Sequence, residues 1–108
     1  MKNEFAKERY SLPNLKLAVI GHVEWMTFLK VDQLPIAGQI SHAKDCFNEA
    51  AGGAAVAAVQ MSRLINDPVD LITSLGKDEY GEKCYERLTN LGLRLKVAWR
   101  SEKPTRQG

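Results

Sequence analysis

The chain has 108 residues, of which 44% are hydrophobic and 26% charged, the proportions of one globular domain with a single modest core. Its formal net charge of +2 does not indicate a nucleic-acid partner, and no apolar run is long enough to span a membrane. The charged N-terminus shows no signal-peptide segment, and Cys46 and Cys84 lack metal-ligand spacing, so we expect a cytoplasmic protein with reduced thiols.

The first half of the chain predicts a polar lead-in, two strands and an exposed third strand. Residues 1–14 are polar and charged, whereas residues 15–21 are almost continuously apolar, which is typical of a parallel strand buried on both faces. Residues 24–31 are rich in aromatic and branched side chains and predict a second strand. After a loop, residues 39–46 alternate imperfectly and predict an edge strand, which a lid or dimer contact would cover.

The centre of the chain is a run of small apolar residues opened by two adjacent glycines, Gly52 and Gly53. It predicts a close-packed helix from about Gly53 to Ile65, buried on more than one side because its apolar residues go nearly all the way round. Backbone N–H groups are unpaired at a helix N-terminus, and residues without Cβ let a ligand approach the backbone. The alternative is a buried helix that follows a flexible turn and binds nothing.

The next elements are a strand over residues 69–75, which stops at Gly76, and a helix that Asp78 would cap and that ends near Asn90. Four apolar side chains at helical spacing form one stripe on this helix: Tyr80, Cys84, Leu88 and Leu91.

Gly92 fits the left-handed position that follows a helix, with Leu93 as the hydrophobic contact beyond it. Residues 93–99 alternate strictly between apolar and polar side chains and predict a strand with one solvent-exposed face. Residues 100–108 are polar and basic, and we expect them to fray. This alternation of strands and helices predicts a mainly parallel sheet. A ligand would bind at the carboxyl ends of its strands, beside the two glycines.

Four ordered features resemble the N-terminal portion of a PfkB-type (ribokinase-like) carbohydrate kinase, over residues 15 to about 100. They are the strand ending in Val19-Ile20-Gly21, the Leu34-Pro35-x-x-Gly38 loop, the Gly52-Gly53 helix, and Leu75-Gly76-x-Asp78-x-x-Gly81 followed by a helix ending in Leu91-Gly92-Leu93. The resemblance implies an α/β fold: the N-terminal part of a ribokinase-like three-layer αβα domain with a small β-sheet lid. The lid strands would occupy about residues 24–47, and residues 101–108 would be a truncated tail.

The resemblance also implies an activity, which is the transfer of the γ-phosphoryl group of ATP, with Mg²⁺, to a hydroxymethyl group of a sugar, polyol or nucleoside. The family's Gly-Ala-Gly-Asp motif, which carries the anion hole and catalytic base, does not occur here. We therefore expect the catalytic C-terminal part to be absent, with no catalytic, cofactor or metal residue in this chain, which alone would be inactive. One alternative is a non-catalytic ligand-binding or dimerising module, and another is an unrelated α/β domain with coincidental glycines.

Substrate contacts are implied at five residues: Glu24, Met26, Asn48, Gly52 and Gly53. Many relatives have a sugar-gripping aspartate at the position that Met26 occupies. Glu24 would share the face of Met26 on a strand and either replaces that aspartate or is an ordinary solvated residue. Relatives also carry an asparagine within the diglycine helix, where this chain has Val56-Ala57-Ala58, so the pocket is expected to be more apolar than a usual sugar site.

The expected partners are a small-molecule sugar or polyol and a second copy of the chain, paired through the lid strands, with no nucleic acid and no membrane. Half of a parallel sheet would leave an unpaired edge and an uncovered apolar face. We therefore expect oligomerisation or marginal stability.

Overall fold

A computed structural model describes residues 15–65 and 67–108, so the predicted lead-in over residues 1–14 lies outside the described residues. The described residues form six strands and two helices. In chain order these are β1 (Leu17–Ile20), β2 (Glu24–Lys30), β3 (Asp45–Ala51), α1 (Gly53–Leu64), β4 (Val69–Gly76), α2 (Glu79–Asn90), β5 (Arg94–Arg100) and β6 (Arg106–Gln107).

The core sheet has the strand order β1-β4-β5, and both of its strand pairs are parallel, as the alternation of elements predicts. α1 follows the lid strands and leads into β4, and α2 joins β4 to β5. Both helices pack against the face of β4 that buries Val69, Leu71 and Leu75. The core of the chain lies between this face and the two helices.

The opposite face of the core sheet is uncovered. Ile20 is 76% exposed and Ile72 is 36% exposed, whereas Leu71, beside Ile72 on β4, is fully buried. The prediction that the first strand is buried on both faces is therefore wrong for this chain, because both helices lie on one side. The face is uncovered as expected, but it is only partly apolar, because Asp70 pairs there with Arg94 and Lys96.

The lid is a second sheet, with the strand order β3-β2-β6. β2 and β3 are antiparallel, and their pairing runs from Glu24 opposite Ala51 to Lys30 opposite Asp45. The prediction of a strand over residues 39–46 is wrong, because this pairing with β2 begins at Asp45 and continues to Ala51. The lid strands therefore extend beyond residue 47.

The end of the chain is ordered, which corrects the expectation that residues 100–108 fray. β6 pairs in parallel with β2, and the Gly108 N–H donates to the Trp25 carbonyl at 3.1 Å. The Thr27 N–H donates to the Gly108 carbonyl at 2.8 Å. The second edge of β2 thus gains backbone partners that a free strand edge would lack.

α1 confirms the predicted diglycine helix but is buried on one face only. Ala54, Ala55 and Ala58 face the core, whereas Val56 is 54% exposed, so burial on more than one side is wrong for this chain. The small residues serve close packing: a Cβ added at Gly21 would lie 2.9 Å from the Ala54 Cβ.

α2 has the ends and the apolar stripe that its sequence predicts. The Asp78 carboxylate caps its N-terminus, and Cys84 and Leu88 on the stripe are fully buried. Gly92 has a φ of 96°, and the Leu93 N–H donates to the Leu88 carbonyl at 3.2 Å, which ends the helix with a left-handed glycine.

Candidate functional site

The diglycine turn lies directly against the segment that follows β1. Gly52 has a φ of 100°, and a Cβ there would come within 2.8 Å of the His22 carbonyl oxygen. The Gly53 N–H donates to His22 Nε2 at 3.3 Å. Gly52 is therefore required both by its backbone conformation and by the close approach of His22.

Glu24 and Met26 lie on one face of the lid strand β2. Successive side chains alternate between the faces of a strand, so residues 24 and 26 share a face. Glu24 pairs with Ala51, the residue before the diglycine turn, and Met26 pairs with Glu49. The register thus places Glu24 next to the diglycine turn, through Ala51, whereas Met26 lies two residues farther along β2.

Asn48 does not share the face of Glu24 and Met26. It pairs with Thr27, on the opposite face of the lid, and its Oδ1 accepts a hydrogen bond from the Thr27 hydroxyl at 2.8 Å. A substrate contact at Asn48 stays a prediction, and the site described here does not include it.

A cleft of about 350 Å³ opens at the carboxyl ends of β1, β4 and β5, where parallel α/β sheets place their ligands. Its walls come from the ends of these strands and from the chain that leads into the lid: Gly21, His22, Val23, Thr73, Ser74, Leu75, Gly76, Arg100, Lys103, Pro104, Thr105 and Arg106. Since His22 also touches both glycines, the cleft adjoins the diglycine turn.

The cleft residues beyond β5 were not predicted, because residues 100–108 have the polar composition of a frayed tail. A Pro-Thr pair after a basic segment is a weak signal for an ordered return of the chain. His22 carried a better signal, because it directly follows the glycine that ends an apolar strand.

Asp78 fastens the lid strand β6 to the core. Its Oδ2 accepts a hydrogen bond from the Thr105 N–H and its Oδ1 accepts one from the Gly81 N–H, both at 2.8 Å. The Gly76 N–H donates to the Thr105 hydroxyl at 2.9 Å, and Thr105 is only 4% exposed. The hydrogen bond from Thr105 is the main cause that lowers the pKa of Asp78.

Gly76 and Gly81, on either side of Asp78, have no room for a side chain. A Cβ at Gly76 would lie 2.6 Å from the Asp78 carboxylate, and one at Gly81 would collide with the Gly76 carbonyl. The sequence Gly76-x-Asp78-x-x-Gly81 therefore builds a compact joint between β4, α2 and the lid.

A second joint holds the other edge of the lid on α2. The Arg87 guanidinium donates two hydrogen bonds to the Glu49 carboxylate on β3, at 2.7 and 2.8 Å, and this pair lowers the pKa of Glu49. The Lys83 ammonium lies 5.8 Å from the centroid of the Trp25 ring. The lid is thus held over the core sheet from both sides.

No three His, Cys, Asp or Glu side chains gather into a metal-binding group within residues 15–65 and 67–108. No helix in this part of the chain is long and apolar enough to cross a membrane.

Comparisons with known proteins agree with this architecture. The family model described as pfkB family carbohydrate kinase matches residues 14–108. A ribokinase from Cryptococcus neoformans var. grubii, solved with ADP, is similar over 89% of this chain and 29% of its own, with a TM-score of 0.72 and 21% identity. A ribokinase from Giardia lamblia is similar over 83% of this chain and 29% of its own, with a TM-score of 0.71 and 23% identity.

A fructokinase from Halothermothrix orenii is similar over 84% of this chain and 31% of its own, with a TM-score of 0.66 and 22% identity. The chain thus spans less than a third of the length of these structures. A search of curated protein sequences gave no significant match. The ribokinase-like α/β fold predicted from the sequence is confirmed. Because the family model covers nearly the whole sequence, the chain belongs to the pfkB family of carbohydrate kinases.

Proposed function

We propose that the full-length protein catalyses ATP-dependent phosphoryl transfer to a hydroxymethyl group of a sugar, polyol or nucleoside, and that this chain supplies the substrate side. The observation that carries the proposal is the diglycine turn packed on His22 and joined, through Ala51, to Glu24 of the lid.

Each residue at this junction has a physical role in the proposal. Gly52 lets the turn pack closely on His22, the exposed Gly53 leaves the start of α1 without a side chain, and the Glu24 carboxylate accepts hydrogen bonds from substrate hydroxyl groups. Met26 packs on the apolar side of the substrate, and its flexible thioether adapts to the shape of the ligand. Phosphoryl transfer depends mainly on positioning and charge stabilisation, so a lid that orients the acceptor and excludes water contributes directly.

When bound, ATP supplies the γ-phosphoryl group and Mg²⁺ neutralises its charge. No residue of this chain is assigned to either. We accordingly propose that the 108-residue chain binds the acceptor but does not transfer phosphate by itself.

Titration of the purified chain with a panel of sugars, polyols and nucleosides, followed by calorimetry, tests the proposal. At least one compound should bind, and Gly52→Ala should abolish its binding, because the added methyl group meets the His22 carbonyl. Gly38→Ala is the matched control: Gly38 also has a positive φ, 82°, but a Cβ there meets nothing within 4 Å. If no compound binds, or if both variants behave alike, the proposed site is wrong.

A non-catalytic binding module is the second candidate function. Met26 at the lid face and the apolar Val56-Ala57-Ala58 segment of α1 favour it, because neither offers a hydrogen bond to a polyol. The two candidates differ in one assay, which is acceptor-dependent ATP consumption by the protein extended through the rest of a pfkB domain. Consumption supports the kinase, and acceptor binding without consumption supports the module.

We also propose that the chain pairs with a second copy through the lid. Phe28 and Phe47 stack with ring centroids 4.9 Å apart, yet they are 39% and 58% exposed, and Leu29 is 60% exposed. Exposed aromatic side chains of this kind are enriched at protein interfaces.

A further inference from the structure

We propose that His22 is a substrate-binding residue, and that its imidazole presents an Nδ1–H group to an oxygen atom of the substrate. The inference rests on the proposed function, because it adds a hydrogen-bond donor to the same site. It is carried by the contact of the ring with the diglycine turn, by the missing side-chain cap of α1, and by the place of His22 in the cleft wall.

One edge of the His22 ring lies against the diglycine turn. The Gly53 N–H donates to Nε2 at 3.3 Å. The ring carbons on either side of this nitrogen face the same turn: a Cβ added at Gly52 would lie 3.1 Å from Cδ2, and one added at Gly53 would lie 3.5 Å from Cε1. Three consecutive ring atoms therefore face the turn, and Nδ1 is the ring nitrogen that lies outside this edge.

The hydrogen bond from Gly53 takes the place of a side-chain cap on α1. The N-cap residue is Gly52, which has no side chain, and the first turn of the helix contains no acidic residue. The first N–H groups of a helix have no partner within the helix and carry a partial positive charge. A lone pair on His22 Nε2 satisfies one of these groups, whereas a protonated Nε2 would place two donors against each other.

The same contact determines which ring nitrogen carries the proton. A neutral imidazole has one N–H donor and one acceptor nitrogen, and the hydrogen bond that one nitrogen makes fixes the state of the other. Because Nε2 of His22 accepts from Gly53, the proton of the neutral ring is on Nδ1. His22 is thereby set as a hydrogen-bond donor before any substrate binds.

The Nδ1–H group of His22 is available to a substrate. His22 is exposed, and it lines the cleft at the carboxyl ends of β1, β4 and β5. Among the residues that the structure describes, the bond from Gly53 is the one hydrogen bond of the His22 side chain. A substrate oxygen in the cleft would therefore accept from Nδ1 without displacing a protein contact.

Glu24 complements His22 chemically. It pairs across the lid with Ala51, the residue before Gly52, so Glu24 and His22 both flank the diglycine turn. An ionised carboxylate only accepts hydrogen bonds, whereas the Nδ1–H group only donates. Hydroxyl groups do both, so a substrate with neighbouring hydroxyl groups satisfies both residues. A compound whose oxygens are all ethers or carbonyls would satisfy His22 alone.

Nitrogen-15 NMR of the 108-residue chain tests the tautomer without any ligand. The chain has two histidines, and His42→Gln leaves His22 as the single imidazole to be observed. In the neutral ring, we expect Nδ1 to have the chemical shift of a protonated nitrogen and Nε2 that of an acceptor. The opposite tautomer, or an equal mixture of the two, would overturn the inference and leave the proposed function standing.

Calorimetry with ribose, glucose, ribitol and adenosine tests the contact with the substrate. His22→Gln keeps an oxygen that can accept from Gly53 but has no donor at the position of Nδ1. It should weaken binding of the tightest of these compounds by about 3- to 10-fold, while the melting temperature stays close to that of the parent chain.

His42→Gln is the matched control, because His42 is exposed in the loop between β2 and β3 and does not line the cleft. It should leave the affinity unchanged. Equal affinities of the parent chain and His22→Gln would overturn the inference alone. Failure of all four compounds to bind would contradict the proposed function and this inference together.

Discussion

The Asp78 carboxylate accepts a hydrogen bond from the Thr105 amide at 2.8 Å, although 27 residues separate them along the chain. Asp78 caps the helix that follows the core strand β4, and Thr105 immediately precedes the lid strand β6. One side chain therefore satisfies a helix N-terminus and also fixes where the chain re-enters the lid. This contact is one of the two joints that hold the lid, the other being the pair of Arg87 with Glu49.

Loss of the Asp78 carboxylate should destabilise the chain. Asp78→Asn replaces one of the two accepting oxygens with an NH₂ group. The side chain can then accept a hydrogen bond from Thr105 or from Gly81 but not from both, and we expect a loss of about 1–2 kcal/mol in the free energy of unfolding. Chemical denaturation measures it. The control is Asp32→Asn, because the exposed Asp32–Lys44 ion pair should contribute less than about 1 kcal/mol. Equal losses in the two variants would show that the joint at Asp78 has no special role.

Acid should weaken the fold through Asp78 and Glu49. Hydrogen bonds from Thr105 and Arg87, respectively, lower the pKa of each carboxyl in the folded chain, so the unfolded chain binds more protons in the acidic range. Stability from these groups is therefore present above their ordinary pKa values, near pH ~4, and is lost as the pH falls through the lowered ones. Thermal melts from neutral pH downwards should show this decline.

The matched comparison for acid stability uses Asp78→Asn. The melting temperature of this variant should fall less steeply with pH below ~4, because the variant lacks the carboxyl of Asp78. The same slope in the parent chain and in the variant would remove Asp78 as a cause.

The two cysteines should differ sharply in reactivity. Cys84 is fully buried on α2, and burial raises the pKa of its thiol to about 11, so almost no thiolate forms at neutral pH. Cys46 is exposed on β3. A chromogenic thiol reagent should therefore label one thiol quickly and the second only when the chain unfolds, and Cys46→Ser should remove the fast phase. Rapid labelling of both thiols in the folded chain would contradict the packing of α2.

Self-association should depend on the aromatic pair of the lid. Phe47→Ser removes one partner of the exposed stack with Phe28, and we expect it to shift the chain from dimer to monomer in size-exclusion chromatography with light scattering. Leu64→Ser, on the exposed side of α1, removes a side chain of similar exposure elsewhere and should leave the dimer intact. A parent chain that is monomeric at high concentration would refute pairing through the lid.

Elements with local signals could be predicted from the sequence. The signals for α2 all lie within one segment: the cap at Asp78, the apolar stripe through Cys84 and Leu88, and the left-handed Gly92. The structure has α2 at the position that these signals predict. The diglycine and the alanines after it likewise identified α1.

Elements that depend on distant partners could not be predicted in this way. β3 is defined by its register with β2, and β6 exists because the other edge of β2 accepts it, so neither had a clear pattern of its own. The cleft was missed for the same reason, since Thr105 acquires its buried position only through Asp78 and Gly76. Strand alternation correctly predicted that Glu24 and Met26 share a face. That Asn48 lies on the opposite face could be known only from the register of β3 with β2.

The central claim is that an acceptor binds where the diglycine turn meets the lid, and hydrogen–deuterium exchange locates that binding most directly. With the tightest ligand of the panel bound, amides in residues 21–26 and 51–54 should exchange more slowly, while those at Phe28 and Phe47 should not change. Protection confined to other parts of the chain, or no protection with a ligand that demonstrably binds, would contradict the account.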